Sequence, residues 1–215
     1  LPVKDIMAMA RPKNIEVFVD GAHAFAHFPF TRDGLDVDYY GTSLHKWLLA
    51  PIGTGFLYVR KAKQKSIWPL MAASAEQDND IRKFEEIGTH PAANHNAVAV
   101  SLAFHRALGA GRKYARLVYL RDRWATRLVA EGKGRVKMLT PTDPAWGGGI
   151  GFLSVDGLDP GKLGNWLFGQ HRVVQTPITH PEFSGIRITP NVYTTLDEID
   201  RFSELVLRAL RNGIA

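Results

Sequence analysis

One lysine of this sequence lies in an unusual setting. Lys46 follows the predicted strand 37–42 within Ser43-Leu44-His45-Lys46-Trp47, so its amine is placed beside the apolar side chains of Trp47 and Leu48. Apolar surroundings disfavour the charged form of an amine, and the neutral amine is the nucleophile that Schiff-base chemistry needs. The common alternative is that a lysine near a tryptophan only lays its methylene stem across the ring.

A carboxylate precedes this lysine at the end of another predicted strand. Residues 15–19 form a short β-rich run that ends at Asp20-Gly21, which places Asp20 at the carboxyl end of a strand. Open α/β sheets bind ligands at that edge. Pyridoxal phosphate needs a lysine to carry its aldehyde and an acid partner for its pyridine nitrogen. Asp-Gly is also a common turn in which the side chain caps the following backbone, and these residues alone leave both interpretations open.

The remaining sequence alternates between strand and helix patterns. A helix is predicted over residues 3–10, a third strand over 55–59 and an irregular loop over 68–80. Helices at 92–109 and 112–131 follow, and the short elements after them are typical of a small α+β domain. Those elements are strands 135–139, 150–155, 172–175 and 185–189 and helices 160–170 and 196–211. Thr195 and Glu198 form a capping-box pattern at the start of the last helix. The sequence therefore predicts an α/β chain with a domain junction near 109–118.

Composition narrows the possible functions. The 215 residues carry 27 Lys and Arg against 21 Asp and Glu, but the positive residues are scattered and no nucleic-acid motif accompanies them. We therefore expect no nucleic-acid partner, and no apolar run is long enough to suggest a membrane partner. The chain contains no cysteine, which removes disulfides and protein thiol chemistry. His23 and His27 are four residues apart but lack the Glu of a zinc-protease motif, so we expect packing or capping and no metal.

Taken in order, several motifs resemble the class V aminotransferase family of pyridoxal-phosphate enzymes, and most closely its isopenicillin N epimerase-like branch. The resemblance extends over essentially the whole chain. The stretches that carry it are Val19–His23, Asp38, Thr42–Trp47, Pro51–Val59, Glu86–Thr89, Gly185–Pro190, Tyr193 and Glu198–Phe202.

The resemblance implies an α/β fold that is the C-terminal part of a fold-type I pyridoxal-phosphate-dependent transferase. Residues 1–110 would be the last strands of the cofactor-binding large-domain sheet, and residues 111–215 the small α+β C-terminal domain. Family members are longer, so we expect a missing portion before Leu1 that supplies a phosphate-cradling loop and the side chain that stacks on the pyridine ring. The resemblance also implies a homodimer with a shared active site. A cytoplasmic location is the default expectation.

The resemblance gives a role to each matched residue. It implies that Lys46 carries the cofactor as an internal aldimine, a Schiff base, and that Asp20 pairs with the protonated pyridine nitrogen. It also implies that His23 lies beside the phenolic oxygen of the cofactor and that Ser43 and His45 help to hold the phosphate. Thr89 would contact the phosphate of a neighbouring subunit's cofactor, and Arg187 would bind the substrate α-carboxylate. The alternatives are that Thr89 caps a helix starting near Pro91 and that Arg187 is a surface residue on an edge strand.

The implied chemistry acts on an amino acid or a similar amine. Lys46, once displaced, would remove the Cα proton, and epimerase, aminotransferase and lyase outcomes all stay open. The family's cysteine desulfurases use a cysteine on the loop before the arginine strand, and residues 175–181 have none, so we do not expect a persulfide-forming desulfurase. The alternative function is a non-catalytic remnant that serves as a subunit or interaction domain. Retention of Lys46, Asp20, His23 and Arg187 together argues against it.

Overall fold

The computed structural model describes residues 1–143 and 145–214. The chain folds as two compact units, Leu1–Ala110 and Gly111–Ala215, each built from helices and a sheet. The predicted α/β class is therefore confirmed.

The first unit contains three strands and three helices within Leu1–Ala110. In chain order they are α1 (Val3–Ala10), β1 (Phe18–Asp20), α2 (Arg32–Leu35), β2 (Tyr39–Ser43), β3 (Gly55–Val59) and α3 (Ala92–Leu108). Short 3-10 turns lie at Arg11–Lys13, Lys61–Ser66, Ala75–Gln77 and Ile81–Phe84. The region 68–80, predicted to be irregular, contains one of these turns and otherwise no helix or strand.

The sheet of the first unit has the order β1-β2-β3. β1 and β2 run parallel, with Asp20 opposite Gly41, whereas β2 and β3 run antiparallel, with Ser43 opposite Gly55. Parallel strands end at the same edge of a sheet. The residues that follow β1 therefore lie next to those that follow β2.

A buried carboxylate sets the register of the parallel pair. Asp38, whose side chain is 3% exposed, accepts the backbone N–H of Val17 at 3.0 Å and lies 3.3 Å from the guanidinium groups of Arg11 and Arg60. The next residue, Tyr39, donates its N–H to the Val17 carbonyl at 3.1 Å. These bonds occupy the backbone just before β1, and the strand predicted from residue 15 accordingly begins at Phe18.

The second unit contains a four-stranded sheet and three helices. They are α4 (Ala110–Glu131), β4 (Val136–Met138), β5 (Gly151–Val155), α5 (Pro160–His171), β6 (Thr176–Thr179), β7 (Ser184–Ile188) and α6 (Leu196–Asn212). The strand order is β4-β5-β7-β6, with every neighbouring pair antiparallel.

All three helices contribute to one apolar core in the second unit. Its members include Trp124 from α4, Leu167 from α5, Phe202 from α6 and Ile186 from β7, each nearly or fully buried. The capping box predicted at α6 is confirmed: the Thr195 hydroxyl accepts the Glu198 N–H at 3.2 Å, and the Glu198 carboxylate accepts the Thr195 N–H at 2.8 Å. A satisfied cap fixes where α6 begins and therefore which face it turns to the sheet.

The prediction of a strand at residues 172–175 is wrong. Arg172 closes α5 in the left-handed conformation, with φ of 57°, and donates its N–H to Phe168. Val173 also donates back into the helix, to Leu167, so this backbone is used by the helix end and the strand begins four residues later, at Thr176. The other predicted strands are present, with ends displaced by up to three residues.

Asp38→Asn is expected to lower the free energy of unfolding by about 1–3 kcal/mol, because the substitution removes a buried anion that two guanidinium groups and a backbone amide share. Chemical denaturation of the purified chain measures this change. The matched control is Asp36→Asn, since Asp36 contacts Arg11 and Arg60 as well but is 59% exposed. The control should lose less stability, because solvent screens the exposed Asp36 carboxylate. Equal losses in the two variants would contradict the role given to Asp38.

Candidate functional site

The carboxyl ends of β1 and β2 bring the first two candidate residues to one edge of the sheet. Asp20 ends β1 and is exposed, and Ser43 ends β2 two residues beyond Asp20's partner Gly41. One Asp20 oxygen accepts the N–H of Ala22 at 2.9 Å, so the turn interpretation of Asp-Gly is correct. A carboxylate has a second oxygen with its own lone pairs, and the capping role is therefore compatible with binding a ligand.

Gly21 allows the chain to leave β1 closely against β2. Its N–H donates to the Gly41 carbonyl at 2.7 Å, and its own carbonyl accepts the Thr42 hydroxyl at 3.2 Å. A Cβ at this position would lie 2.0 Å from the ring of Tyr40. Only glycine fits there, and the contact fixes the direction in which the segment after Asp20 leaves the sheet.

The lysine loop, residues 44–54 between β2 and β3, is closed by its own hydrogen bonds. The Leu44 N–H donates to the Thr54 carbonyl at 2.9 Å, and the Ala50 N–H donates to the Leu44 carbonyl at 3.1 Å. The Thr54 hydroxyl, which is buried, donates to the Pro51 carbonyl at 2.7 Å. Lys46 therefore lies on a backbone held at both ends rather than on a free surface loop.

Helix α3 and an apolar cluster hold the lysine loop in place. Leu44, Leu48 and Ala50 are buried together, with Phe25, Ala26, Val98 and Leu102 packed around them. Two α3 side chains reach loop carbonyls: Asn94 donates to Ile52 at 3.2 Å and Ser101 donates to Leu49 at 3.4 Å. Leu49 has a φ of 63°, a left-handed conformation that costs a non-glycine residue about 1–3 kcal/mol and persists only where the surroundings impose it.

Exposure decreases along the lysine loop from His45 to Trp47. His45 is exposed, Lys46 is half-buried and Trp47 is 2% exposed. The apolar neighbour predicted for Lys46 is thus an anchored core residue. Lys46 itself stays accessible.

Three aromatic side chains tie the loop to the turn after β1. The indole Nε1 of Trp47 donates to Nδ1 of His23 at 3.3 Å. The Trp47 ring stacks on His27 with centroids 3.9 Å apart and an interplanar angle of 18°. His27 is buried, and its Nδ1 lies 2.9 Å from the His23 carbonyl oxygen. Packing thus accounts for His27, and His23 is placed beside the lysine loop.

Thr89 lies in the first unit on an exposed segment before α3. The preceding Gly88 has a φ of 70°, and the carbonyl oxygen of Gly88 lies 3.0 Å from Nδ1 of His90. Helix α3 begins at Ala92 with Pro91 at its N-cap and no side-chain cap hydrogen bond. The structure therefore does not assign Thr89 the capping role considered as its alternative.

Arg187 lies in the second unit on β7, which is a central strand between β5 and β6. The alternative interpretation placed Arg187 on an edge strand, and that placement is wrong. Its Nη2 donates to the Thr176 hydroxyl at 3.4 Å across the β6–β7 pair. Its Nε is buried and has no hydrogen-bond partner among residues 1–143 and 145–214. A half-buried guanidinium with an unused donor is suited to an anionic ligand.

The charge of Asp20 affects the neighbouring Tyr40. Burial and, second, the Asp20 carboxylate raise the pKa of the Tyr40 phenol from 10.0 to about 12. The larger cause is the burial of Tyr40, which is 5% exposed, because burial disfavours the charged phenolate.

Two further features concern the whole described chain. No group of three or more His, Asp or Glu side chains is arranged to hold a metal ion among the residues that the structure describes. Within the same residues no helix is both long and apolar enough to span a membrane.

Residues 1–129 match the family model described as aminotransferase class-V. The chain belongs to the class V aminotransferase family. Pyridoxal phosphate is the cofactor expected in this family.

Curated relatives resemble this class V chain over nearly its full length. The isopenicillin N epimerase of Streptomyces clavuligerus is 31% identical over 221 residues, which cover 95% of this chain and 55% of the relative. A probable hercynylcysteine sulfoxide lyase of Mycobacterium tuberculosis is 28% identical and covers 97% of this chain, which corresponds to 53% of the relative. The class V chain thus spans about half the length of the curated relatives it matches.

Solved structures support the partial fold-type I architecture of this class V chain. The apo cysteine desulfurase of Thermococcus onnurineus superposes with a TM-score of 0.82 at 20% identity, covering 98% of this chain and 56% of that one. A C-DES variant with a glycine covalently linked to the PLP cofactor gives a TM-score of 0.81 at 23% identity, over 96% of this chain and 56% of that one. At these identities the likeness concerns the fold alone.

Sequence reasoning gave no role to Trp47 or Asp38, although both stand in the class V motifs. The structure shows Trp47 donating to His23 and Asp38 joining β1 to β2. The chemistry of the two side chains could have indicated these roles. A buried indole N–H and a buried carboxylate both require hydrogen-bond partners.

The stability of the chain is expected to fall between pH 10 and pH 12, partly because of Tyr40. Its pKa is raised from 10.0 to about 12 in the folded chain, so its contribution is complete below pH 10 and is lost as the pH rises through 12. When the pH is raised from about 9 to about 11, the free energy of unfolding should fall in both proteins. The fall should be about 1 kcal/mol smaller in Tyr40→Phe than in the wild type. Denaturant unfolding at the two pH values measures the difference.

The matched control for this pH dependence is Tyr193→Phe, because Tyr193 is 72% exposed. The control should lose as much stability between the two pH values as the wild type. Asp20→Asn should lose less, because it removes the Asp20 charge, the second cause of the raised pKa of Tyr40. An unchanged pH dependence in Tyr40→Phe would contradict the electrostatic coupling between Tyr40 and this edge.

Proposed function

We propose that this chain is part of a pyridoxal-phosphate-dependent enzyme that acts on an amino-acid substrate, with Lys46 as the residue that holds the cofactor covalently. The observation that carries the proposal is the edge of the first sheet. Asp20 and Ser43 lie at the ends of two parallel strands, and the hydrogen-bonded loop bearing Lys46 begins at the next residue.

The residue types at this edge fit the cofactor. An exposed carboxylate at Asp20 suits a protonated pyridine nitrogen, and the hydroxyl of Ser43 and the imidazole of His45 suit phosphate oxygens. His23, linked to Trp47, suits the ring oxygen. In this proposal residues 1–110 belong to the cofactor-binding domain, and residues 111–215 form the smaller C-terminal domain.

When bound, pyridoxal phosphate supplies an aldehyde that joins to an amine and a protonated ring that withdraws electrons. Asp20 keeps the proton on the ring nitrogen, and the carboxylate is free to do so because its turn bond to Ala22 occupies one oxygen. The closure of the lysine loop by Leu44 and Thr54 fixes the backbone from which the Lys46 amine acts.

Lys46 has two tasks in this proposal. It anchors the cofactor and, once a substrate amine has displaced it, its neutral amine takes the proton from the substrate Cα as general base. Protonation of Cα on the opposite face, by a donor other than Lys46, gives an epimer. Loss of a group from the neighbouring carbon gives a lyase product, and transfer of the amino group gives an aminotransferase. The names of the relatives, an epimerase and a lyase among them, support the first two outcomes.

Arg187 is proposed to bind the substrate α-carboxylate. The guanidinium fork matches a carboxylate with two parallel hydrogen bonds. The support in the second unit is the central position of β7 and the buried Nε that lacks a partner within the described residues.

The proposal includes a homodimer with a shared site, in which Thr89 reaches the phosphate of the neighbouring subunit's cofactor. Its support is that Thr89 is exposed and not used as a helix cap. It also includes the absence of persulfide chemistry on the protein, because the chain has no cysteine to accept sulfur. Cysteine desulfurases are nevertheless among the relatives, over 68 residues.

The second candidate is a non-catalytic subunit or interaction domain of the same fold. It is favoured by one observation, that the chain spans only 55% of the isopenicillin N epimerase it matches. The two candidates differ in whether Lys46 reacts with the cofactor.

Addition of pyridoxal phosphate to the folded chain is expected to give a visible absorption band, and borohydride reduction is expected to leave the cofactor on the peptide that carries Lys46. Lys46→Arg should abolish the band and the adduct, because the guanidinium is not a nucleophile at neutral pH. Lys61→Arg is the matched control, since Lys61 is exposed on the turn after β3, and it should leave both signals unchanged.

The same measurement on the product of the complete gene tests whether binding needs other parts of a class V fold. An adduct on Lys46 in either protein supports the enzyme. A protein that circular dichroism shows to be folded but that gives no adduct in either form would exclude the enzyme and leave the interaction domain.

Arg187→Gln is expected to weaken amino-acid binding to the cofactor-loaded protein about 10- to 100-fold, the loss of a charge-assisted hydrogen-bonded pair. Spectral titration with an amino acid and with its decarboxylated amine separates the roles. The amine lacks the carboxylate, so its affinity should be the same in both proteins. A parallel loss for both ligands would mean that Arg187 supports the fold rather than the substrate.

A further inference from the structure

The hydrogen bond between Trp47 and His23 determines where the neutral imidazole of His23 carries its proton. The indole Nε1 lies 3.3 Å from the His23 Nδ1. An indole N–H can only donate, so Nδ1 must be the accepting nitrogen. A neutral imidazole has one N–H, and it is therefore on Nε2.

The donor in this bond is held rigidly. The Trp47 ring is 2% exposed and stacks on His27, which is 3% exposed, at a centroid distance of 3.9 Å. The His23 carbonyl lies 2.9 Å from the His27 Nδ1. A carbonyl can only accept, so that nitrogen of His27 carries a hydrogen. The backbone and the ring of His23 are thus each bound to one member of the Trp47–His27 stack.

We propose that Trp47 is a positioning residue that keeps His23 in the Nε2–H tautomer and so presents Nε2 as a hydrogen-bond donor to the ring oxygen of the cofactor. The inference rests on the proposed function for the identity of that oxygen. In the opposite tautomer Nε2 would turn a lone pair toward an oxygen that carries negative charge, and Nδ1–H would meet the indole N–H. Both contacts are repulsive, so the indole selects the tautomer that the cofactor needs.

The tautomer is measurable without the cofactor. In the 215-residue chain labelled with ¹⁵N-histidine, long-range proton–nitrogen correlation distinguishes the protonated ring nitrogen from the unprotonated one, and His23→Gln assigns the signal. In the wild type at a pH where His23 is neutral, Nε2 should be the protonated nitrogen. Trp47→Phe keeps a ring to stack on His27 but removes the donor. The population of the Nδ1–H form should then rise about fivefold, the factor that corresponds to one net hydrogen bond.

Trp68→Phe is the matched control, because Trp68 is 91% exposed; the His23 tautomer should not change in it. A second variant covers the case in which Trp47→Phe fails to fold. His23→Phe retains Trp47, and the loss of the acceptor should move the Trp47 indole proton upfield and speed its exchange with water. A wild-type His23 protonated on Nδ1, or a Trp47→Phe chain with unchanged tautomer populations, overturns the proposal.

A final measurement joins the tautomer to the cofactor. In a chain loaded with pyridoxal phosphate, the Nε2 resonance of His23 should shift, and by less in Trp47→Phe. Selection of the tautomer by Trp47, when neither this chain nor the product of the complete gene forms an adduct on Lys46, would refute the proposed function and leave the role of Trp47 in place. Cofactor bound on Lys46 with no effect of Trp47 on His23 would refute this inference alone.

Discussion

The parallel pairing of β1 with β2 is the constraint on which the candidate site depends. Asp38 fixes it, because its buried carboxylate binds the Val17 amide while Arg11 and Arg60 neutralise its charge. A shift of one residue in this register would turn Asp20 to the opposite face of the sheet. The edge that carries the candidate site is thus determined at the amino ends of the strands, at a residue that takes no part in the proposed chemistry.

Each of the two segments that leave this edge contains a residue with a strained backbone. Ala26, after β1, and Leu49, in the lysine loop, adopt φ values of 59° and 63°, which cost non-glycine residues free energy. Ala26 packs against the cluster of Leu44, Leu48 and Ala50, and the Leu49 carbonyl accepts the Ser101 hydroxyl. The apolar burial and the hydrogen bonds offset the strain, and the two segments are held where the stack of Trp47 and His27 joins them. Rigid support of this kind is what a residue that must meet a cofactor requires.

The sequence was informative wherever the signal was local. The strand predicted at 55–59 is β3, and the capping box at Thr195 locates the first turn of α6, since both depend on residues a few positions apart. Family motifs also brought Asp20 and Lys46 into one prediction. Predictions failed where tertiary contacts decide: the end of α5 uses the backbone of Arg172 and Val173 that a β pattern had assigned to a strand. The hydrogen bond from Trp47 to His23 joins residues 24 positions apart, and no local sequence pattern predicts it.

In the second unit, Arg187 combines a cost in stability with a proposed function. A central strand is an unfavourable place for a guanidinium, because its neighbours on both sides limit access to water, and a buried donor without a partner costs about 1–3 kcal/mol. Apolar residues on either side of it, Ile186 and Ile188, are buried in the core, so the same strand anchors the sheet with one face and holds the guanidinium on the other. Among the residues that the structure describes, the Thr176 hydroxyl accepts from Nη2, and the buried Nε has no hydrogen-bond partner. An anion bound to the rest of the guanidinium would recover that cost, and the substrate carboxylate proposed as the partner of Arg187 is such an anion.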